Sequence, residues 1–177
     1  MAKGKGRPRR KMENRSFIGL GSNIENKLGY IGSALKKLDA HSSVKVEKVS
    51  SVYESKAYGN IEQDNFLNCV VEIKTSLSLE ELFIFTKEVE HKIGRVKREK
   101  WGPREIDLDI LFYNDLVFSD EKLNIPHKDV LNRDFVLVPL CEIAPDFEYP
   151  GGDKTICNFN QGVLEKNIVR KIEYQFN

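Results

Sequence analysis

The chain lacks any apolar run near the ~20 residues that a membrane-spanning helix needs, and no apolar leader core follows its start. Both absences point to a soluble, cytoplasmic protein with no membrane partner. Cysteine is scarce: Cys69, Cys141 and Cys157 are odd in number and widely separated. Such spacing excludes a disulfide framework and offers no metal-ligand pattern, so the three are expected to be reduced thiols. His41, His91 and His127 are too scattered for a zinc site. There is no internal repeat, and the only low-complexity stretch is a basic arm at the start.

What is present is the composition of one globular domain: 177 residues, 40% apolar and 31% charged. The net charge of +1 hides an uneven distribution. Residues 1–15 hold seven basic side chains and one acidic, a balance of +6, and the remaining 21 basic and 26 acidic groups balance to −5. A basic arm can grip nucleic acid electrostatically. This one lacks an apolar pattern and the aromatics that stack on bases, so residues 1–15 read as a disordered extension or a junction remnant. Residues 16–177 read as a single domain, with no nucleic-acid partner expected.

Periodicity lays out the elements. Phe17 to Asn23 is a short buried strand running into a Gly/Ser/Asn turn. Leu28, Ile31, Ala34, Leu35 and Leu38 share one helical stripe, giving a helix over about 26–40. A β-branched strand from Val44 to Tyr53, a polar loop over 54–65 and a strand from Phe66 to Thr75 follow. Ser78-Leu79-Glu80-Glu81 is a capping box, and the amphipathic helix it opens ends at Gly94. A basic loop over 95–104 leads to a strand from Ile106 to Phe112. On it Ile106, Leu108, Ile110 and Phe112 point one way, Asp107 and Asp109 the other. A Pro126-His127 turn, an apolar helix near 134–143 and a Gly/Pro-rich stretch at 145–152 complete the chain. The order βαββαβ predicts an α+β, ferredoxin-like split βαβ fold: an antiparallel sheet with helices packed on one face and the other left open.

The densest chemical signal runs from Gly94 to Asp109. Two carboxylates two residues apart on a strand project from one face, about 6.5–7 Å apart along the chain. Mg²⁺ takes one or two carboxylates and completes its shell with phosphates and water. Asp-x-Asp alone is more often a polar strand face. Here it follows a ten-residue loop carrying Arg95, Lys97, Arg98, Lys100 and Arg104. Cations beside paired carboxylates suit a polyphosphate and the charge that develops in its transfer. A second basic group, His127, Lys128 and Arg133, lies beyond the strand. Phe66, with Asn68 nearby, and Phe135 are aromatics that could serve a heterocycle or the core.

These residues resemble the 6-hydroxymethyl-7,8-dihydropterin pyrophosphokinase (HPPK) family of folate biosynthesis. The similarity extends from Phe17 to about Pro150. It is carried by Gly19-Leu20-Gly21-Ser22-Asn23, Phe66-Leu67-Asn68, Gly94-Arg95-Val96, the tract Trp101 to Ile110, Pro126-His127 and Arg133-Asp134-Phe135. The resemblance implies transfer of the β,γ-pyrophosphoryl unit of ATP to the pterin hydroxymethyl group, with AMP released. It implies that Asp107 and Asp109 hold two Mg²⁺ ions, and that these acids with Arg95 and Arg104 form the catalytic set. ATP would be met by Glu90, Arg95, Lys97, Lys100, Arg104, the backbone of Ile110, His127 and Arg133. The pterin would be met by Ser55, Lys56, Tyr58, Phe66, Asn68, Asp107 and Phe135, with loops 54–65 and 95–104 as mobile lids. A monomer is expected, and the family's domain also occurs fused to neighbouring folate enzymes. Departures are the lost proline in Glu54-Ser55-Lys56-Ala57-Tyr58-Gly59, and Lys97 and Lys100 where arginine is frequent; lysine keeps the charge without the bidentate fork.

Two other readings compete. The same strand-helix order supports RNA-recognition domains, but strand Phe66–Glu72 lacks their basic-aromatic run. A different two-metal phosphotransferase or nuclease could also use Asp107 and Asp109.

Overall fold

The computed structural model describes residues 11–57, 63–96, 98, 102–160, 162–163 and 166–176. Its principal sheet has six strands. β5 (Asp107–Tyr113), β1 (Asn14–Ser22), β4 (Phe66–Thr75), β3 (Val52–Ser55) and β8 (Ile168–Ile172) run edge to edge, and β2 (Val44–Val49) pairs with the far half of β4. All neighbours are antiparallel. Helices α1 (Lys27–Asp39) and α2 (Leu79–Ile93) supply the crossovers of the βαββαβ plan. β1 begins at Asn14, slightly ahead of Ser16.

Local chemistry explains the elements. Ile31, Ala34, Leu35 and Leu38 are the buried stripe of α1, and each fully buried Leu or Ile contributes about 1.5–3 kcal/mol. Ser78 caps α2 by accepting from the Glu81 amide, while Glu81 accepts from the Ser78 amide. Gly94 closes the helix at φ 101°, a conformation that favours glycine. Both helices pack on one sheet face, against Ile18, Leu20, Val71, Ile73, Leu108 and Ile110.

The other face is open only in part. Phe17, Val70, Leu111 and Phe112 form a second apolar cluster with α3 (Asp134–Ile143) and Ile156 of the short α4 (Ile156–Asn160). A hairpin of β6 (Phe118–Ser119) and β7 (Asn124–Ile125) precedes them. This half-cover leaves the upper part of the face, around Gly19 and Gly21, as a recess.

Four expectations need correction. The strand read from Val44 to Tyr53 is broken between β2 and β3, because the Ser50 hydroxyl replaces a main-chain acceptor for the Val70 amide (2.9 Å). Glu54 and Ser55 belong to β3, not to the loop. Phe112 does not share a face with Leu108 and Ile110. The β1–β5 register shifts between Phe17 and Ile18, and this bulge turns both Leu111 and Phe112 toward α3. Finally, Cys141 and Cys157 are not free thiols but a disulfide, their Cα atoms 5.3 Å apart as α4 folds back on α3. Cys69 remains a buried thiol.

α3 is fastened to the β3 edge by Glu142. Its carboxylate accepts from the Ser51 hydroxyl (2.6 Å), the Ser51 amide (3.2 Å) and the Tyr53 hydroxyl (2.9 Å), with Lys171 at 3.5 Å. Burial alone would push Glu142 up; the Ser51 and Tyr53 hydrogen bonds and Lys171 outweigh it and hold the carboxyl below its ordinary value. With the folded value below the unfolded one, the stabilisation is complete above the ordinary glutamate range and is lost as pH falls through it. Glu142→Gln is therefore expected to unfold at lower denaturant than wild type at pH 7. The gap should close as pH drops below about 4, as denaturant titrations across pH would show.

Candidate active site

Two strand pairings build the floor of the recess. Gly19 sits opposite Asp109 and Gly21 opposite Asp107 on one side, and Gly21 opposite Asn68 on the other. Glycine matters because a Cβ on Gly21 would meet Asn68 Oδ1 at 3.1 Å and the Phe66 ring at 3.8 Å. A central strand without side chains here opens a cavity between the acids of β5 and the aromatic end of β4. Ser55, Lys56, Phe66, Asn68, Arg104, Asp107, Asp109, Arg133 and Phe135 all line it. Asn68 Nδ2 donates to Ser55 Oγ (2.8 Å), which leaves Asn68 Oδ1 facing Gly21. Guanidinium groups lie over both aromatics, Arg104 at 5.8 Å from the Phe66 ring centre and Arg133 at 5.9 Å from that of Phe135.

A second cavity lies on the outer side of β5, lined by Phe83, Lys87, Leu108, Asp109, Ile110, Lys122, His127 and Lys128 among others. Asp109 lines both cavities. The two spaces therefore share one residue.

The two acids differ in their surroundings. Asp107 is gripped by Arg104 Nη1 (2.6 Å) and Arg95 Nη1 (2.9 Å). Burial would raise its pKa, but those guanidinium groups outweigh it and hold it low. Among the described residues Asp109 has one ion-pair neighbour, His127 Nε2 at 4.0 Å. Burial, then the charge of Asp107, push Asp109 up. Its side chain keeps 35% of its surface open, so water in the cavities screens part of that effect. Burial likewise holds His127 below its ordinary value, against the pull of Asp109. The Asp129 amide donates to His127 Nδ1 (3.3 Å), which leaves Nε2 as the proton-bearing nitrogen facing Asp109.

Behind this pair, Glu90 is 3% exposed and lines neither cavity. It accepts from Lys87 Nζ (2.8 Å) and the Leu108 amide (2.8 Å), and its other oxygen pairs closely with Arg95. Arg95 thus bridges Glu90 and Asp107 without lining a cavity itself. Tyr58, Lys97 and Lys100 lie outside the described residues. Sequence reasoning missed Lys87, three residues before Glu90 on α2, although that spacing marks a helical ion pair. It also assigned no role to Asn23 or Glu105. Glu105, held near pKa 2 chiefly by its hydrogen bond from Arg98, takes a two-pronged contact from that guanidinium (2.6 and 2.8 Å) and the Val96 amide (3.2 Å).

Among the described residues no three His, Cys, Asp or Glu side chains converge as a complete metal cage. Asp107 and Asp109 do fit a hard divalent cation that completes its shell with phosphate oxygens and water. They share a cavity wall, and among the described residues no lysine or arginine forms an ion pair with Asp109.

A ferredoxin-like α+β domain with paired acids, a ring of guanidinium groups and an aromatic recess defines an enzyme of phosphoryl-group transfer. The chain belongs to the 7,8-dihydro-6-hydroxymethylpterin-pyrophosphokinase (HPPK) family, whose sequence pattern matches residues 17–145. It is 48% identical over 134 residues to the 2-amino-4-hydroxy-6-hydroxymethyldihydropteridine pyrophosphokinase of Aquifex aeolicus, covering 76% of this chain and 82% of that one. To the bifunctional protein FolKE of Lactococcus lactis it is 39% identical, across 88% of this chain and 45% of that one. The crystal structure of Plasmodium falciparum HPPK-DHPS, wild type with SDX-DHP, superposes with a TM-score of 0.66 at 17% identity. That match spans 84% of this chain and 43% of that one, and it shows the shared fold. Fused relatives thus exist, and this chain spans less than half of each of those two. Among the described residues no helix is long and apolar enough to cross a membrane.

Asn23, 2% exposed, joins the two loops that flank the recess. Its Oδ1 accepts from the Arg104 amide (2.8 Å), and its Nδ2 donates to Gln63 Oε1 (3.0 Å). Leaving that amide without its acceptor costs about 1–3 kcal/mol, so Asn23→Ala is expected to speed amide hydrogen exchange at Arg104 about tenfold or more. Amides in the centre of β1 and β4 should be unaffected. Exchange followed by NMR checks this, and unchanged protection at Arg104 would refute it.

Proposed function

We propose that the two cavities are the two substrate sites of the family's reaction, with the pterin over the glycine floor and ATP along the outer side of β5. The activity is pyrophosphoryl transfer from ATP to the hydroxymethyl group of 6-hydroxymethyl-7,8-dihydropterin, a step of folate biosynthesis. The observation that carries the reading is that Asp109 belongs to both cavities, as a group at the point of transfer must.

The chemistry follows from the surroundings. The hydroxymethyl oxygen attacks the β-phosphorus of ATP, the bond from that phosphorus to the α-phosphate oxygen breaks, and AMP leaves with the electron pair. Phe66 and Phe135 supply the apolar walls for a flat heterocycle, and Asn68 with Ser55 the polar edge that fixes its orientation. Arg104, on the recess wall beside Asp107, neutralises charge building on the transferred group; Arg95 and Arg133 add to the positive field, and His127 offers a neutral Nε2–H donor beside Asp109. Asp109, which lines both cavities, is placed to receive the hydroxyl proton. Glu90 and Lys87 hold Arg95 and the β5 backbone in place. Asp107 and Asp109 would hold Mg²⁺, two ions by analogy with the family, and the metal would supply charge neutralisation and polarise the reacting oxygens.

A nucleic-acid reading is disfavoured by a specific feature. The lower half of the sheet face where bases would stack is covered by Val136, Leu137 and Leu140 of α3.

Incubation with ATP, Mg²⁺ and the hydroxymethyl dihydropterin is expected to release AMP. Release of ADP would overturn pyrophosphoryl transfer. A chelator should abolish turnover and added Mg²⁺ restore it. Asp109→Ala is expected to lower turnover about a thousandfold or more with the far-UV circular dichroism retained; near-normal AMP production by that variant would sink the assignment. Arg104→Ala should depress kcat far more than pterin affinity. Normal kcat with weakened pterin binding would place Arg104 in ground-state recognition instead.

A further inference from the structure

Asp134 stands between two residues that line the recess, Arg133 and Phe135, and is 1% exposed. A buried acid at a helix start ordinarily serves its own helix, and its Oδ1 accepts from the Phe135 amide (2.8 Å). Its Oδ2 turns elsewhere, accepting from the main-chain amides of Asn167 (2.8 Å) and Ile168 (3.0 Å), where β8 begins. The Asn167 carbonyl in turn accepts from the Lys56 amide (2.9 Å), and Ile168 pairs with Ser55. One residue of the C-terminal segment therefore links the start of α3 to the end of β3, two separate walls of the same cavity.

A second tie runs through the same strand. Arg170 Nε donates to Glu54 Oε2 (2.5 Å), while Glu54 Oε1 accepts from Asn65 Nδ2 (3.1 Å), next to Phe66. β8 thus fixes the chain on both sides of the 57–64 segment as well as the α3 N-terminus. This strand lies beyond residues 17–145, the stretch matched by the family pattern.

We propose that Asp134 and β8 form a positioning strap that sets the spacing of the pterin recess, a role that rests on the assignment of that cavity to the pterin. Without the Asp134 carboxylate, the Asn167 and Ile168 amides lose their buried acceptor. The strand must then shift or admit water, and the Lys56 amide loses its hold. Phe135 and Asn68, which hang on the two walls, would drift relative to each other. Asp134, Asn167, Ile168 and Arg170 are not among the described residues that line the cavity on the outer side of β5. A strand that merely covered a sheet edge would affect stability and leave the two substrates' affinities alike.

The test is steady-state kinetics and direct binding of each substrate to wild type, Asp134→Ala, Asp134→Asn and Arg170→Ala. Asp134→Ala is expected to raise the pterin KM about tenfold, since the part-buried Asn167 and Ile168 amides both lose their acceptor, with the ATP KM within about twofold and the fold intact. Asp134→Asn, which keeps an oxygen acceptor, should recover most of the affinity. Arg170→Ala should raise the pterin KM about threefold; should Asp134→Ala fail to fold, an unchanged pterin KM in this milder variant would refute the strap. Equal losses for both substrates, or none for the pterin, would also refute it. Wild type that binds no pterin would overturn the cavity's assignment, whereas wild-type binding retained in folded Asp134→Ala would overturn the strap alone.

Discussion

The whole site depends on holding two acidic side chains together on a strand whose other face is buried in the core. Leu108 and Ile110 point into the α1–α2 layer, so Asp107 and Asp109 are held at the opposite surface by the pleat itself. They cannot rotate away from the recess without pulling apolar side chains into water. Like charges so placed repel, and the structure meets that cost unevenly. Asp107 receives two guanidinium groups, Asp109 a neutral imidazole at 4.0 Å. One acid is tied to the protein's own guanidinium groups; the other faces both cavities.

That division explains why so much of the 95–105 segment is tied to itself. Arg104 reaches Asp107 only if its backbone is held, and Asn23, just past the end of β1, holds it. Arg98 closes on Glu105 on the other side of the same turn. Glu90 anchors Arg95 from beneath, taking the Leu108 amide with its first oxygen and the guanidinium with its second. The arginines are therefore oriented before substrate arrives, the condition under which charge stabilisation costs no reorganisation during the reaction.

Much of this was legible in the sequence where local rules govern. The Asp-x-Asp face follows from a period of two, α1 from its apolar stripe, and α2 from a capping box and a terminal glycine. The residues of the pterin and phosphate sets came from a family resemblance, and most of the described ones do gather around the recess. What escaped reading was long-range. The bulge that turns Phe112 is a mismatch between two strands, invisible in either alone. The Cys141–Cys157 pair forms because α4 folds back on α3, which no spacing announces. The role of Asp134 depends on amides more than thirty residues away. Gly19 and Gly21 were legible as a turn signature, but their use as the floor of a cavity needed the register with Asp109, Asp107 and Asn68.

The ferredoxin-like sheet does not by itself select a chemistry. An open antiparallel face can stack bases as readily as it can hold a pterin. Here the choice is made by what covers the face and by what is missing from it. α3 seals the lower half with Val136, Leu137 and Leu140, so a ligand can enter only above them. The two glycines remove side chains from the central strand at that height, turning a platform into a recess. Phe66 at the start of β4 and Phe135 on α3 then stand in its walls. The shape of the recess therefore comes from a subtraction in β1 as much as from any group the sheet presents.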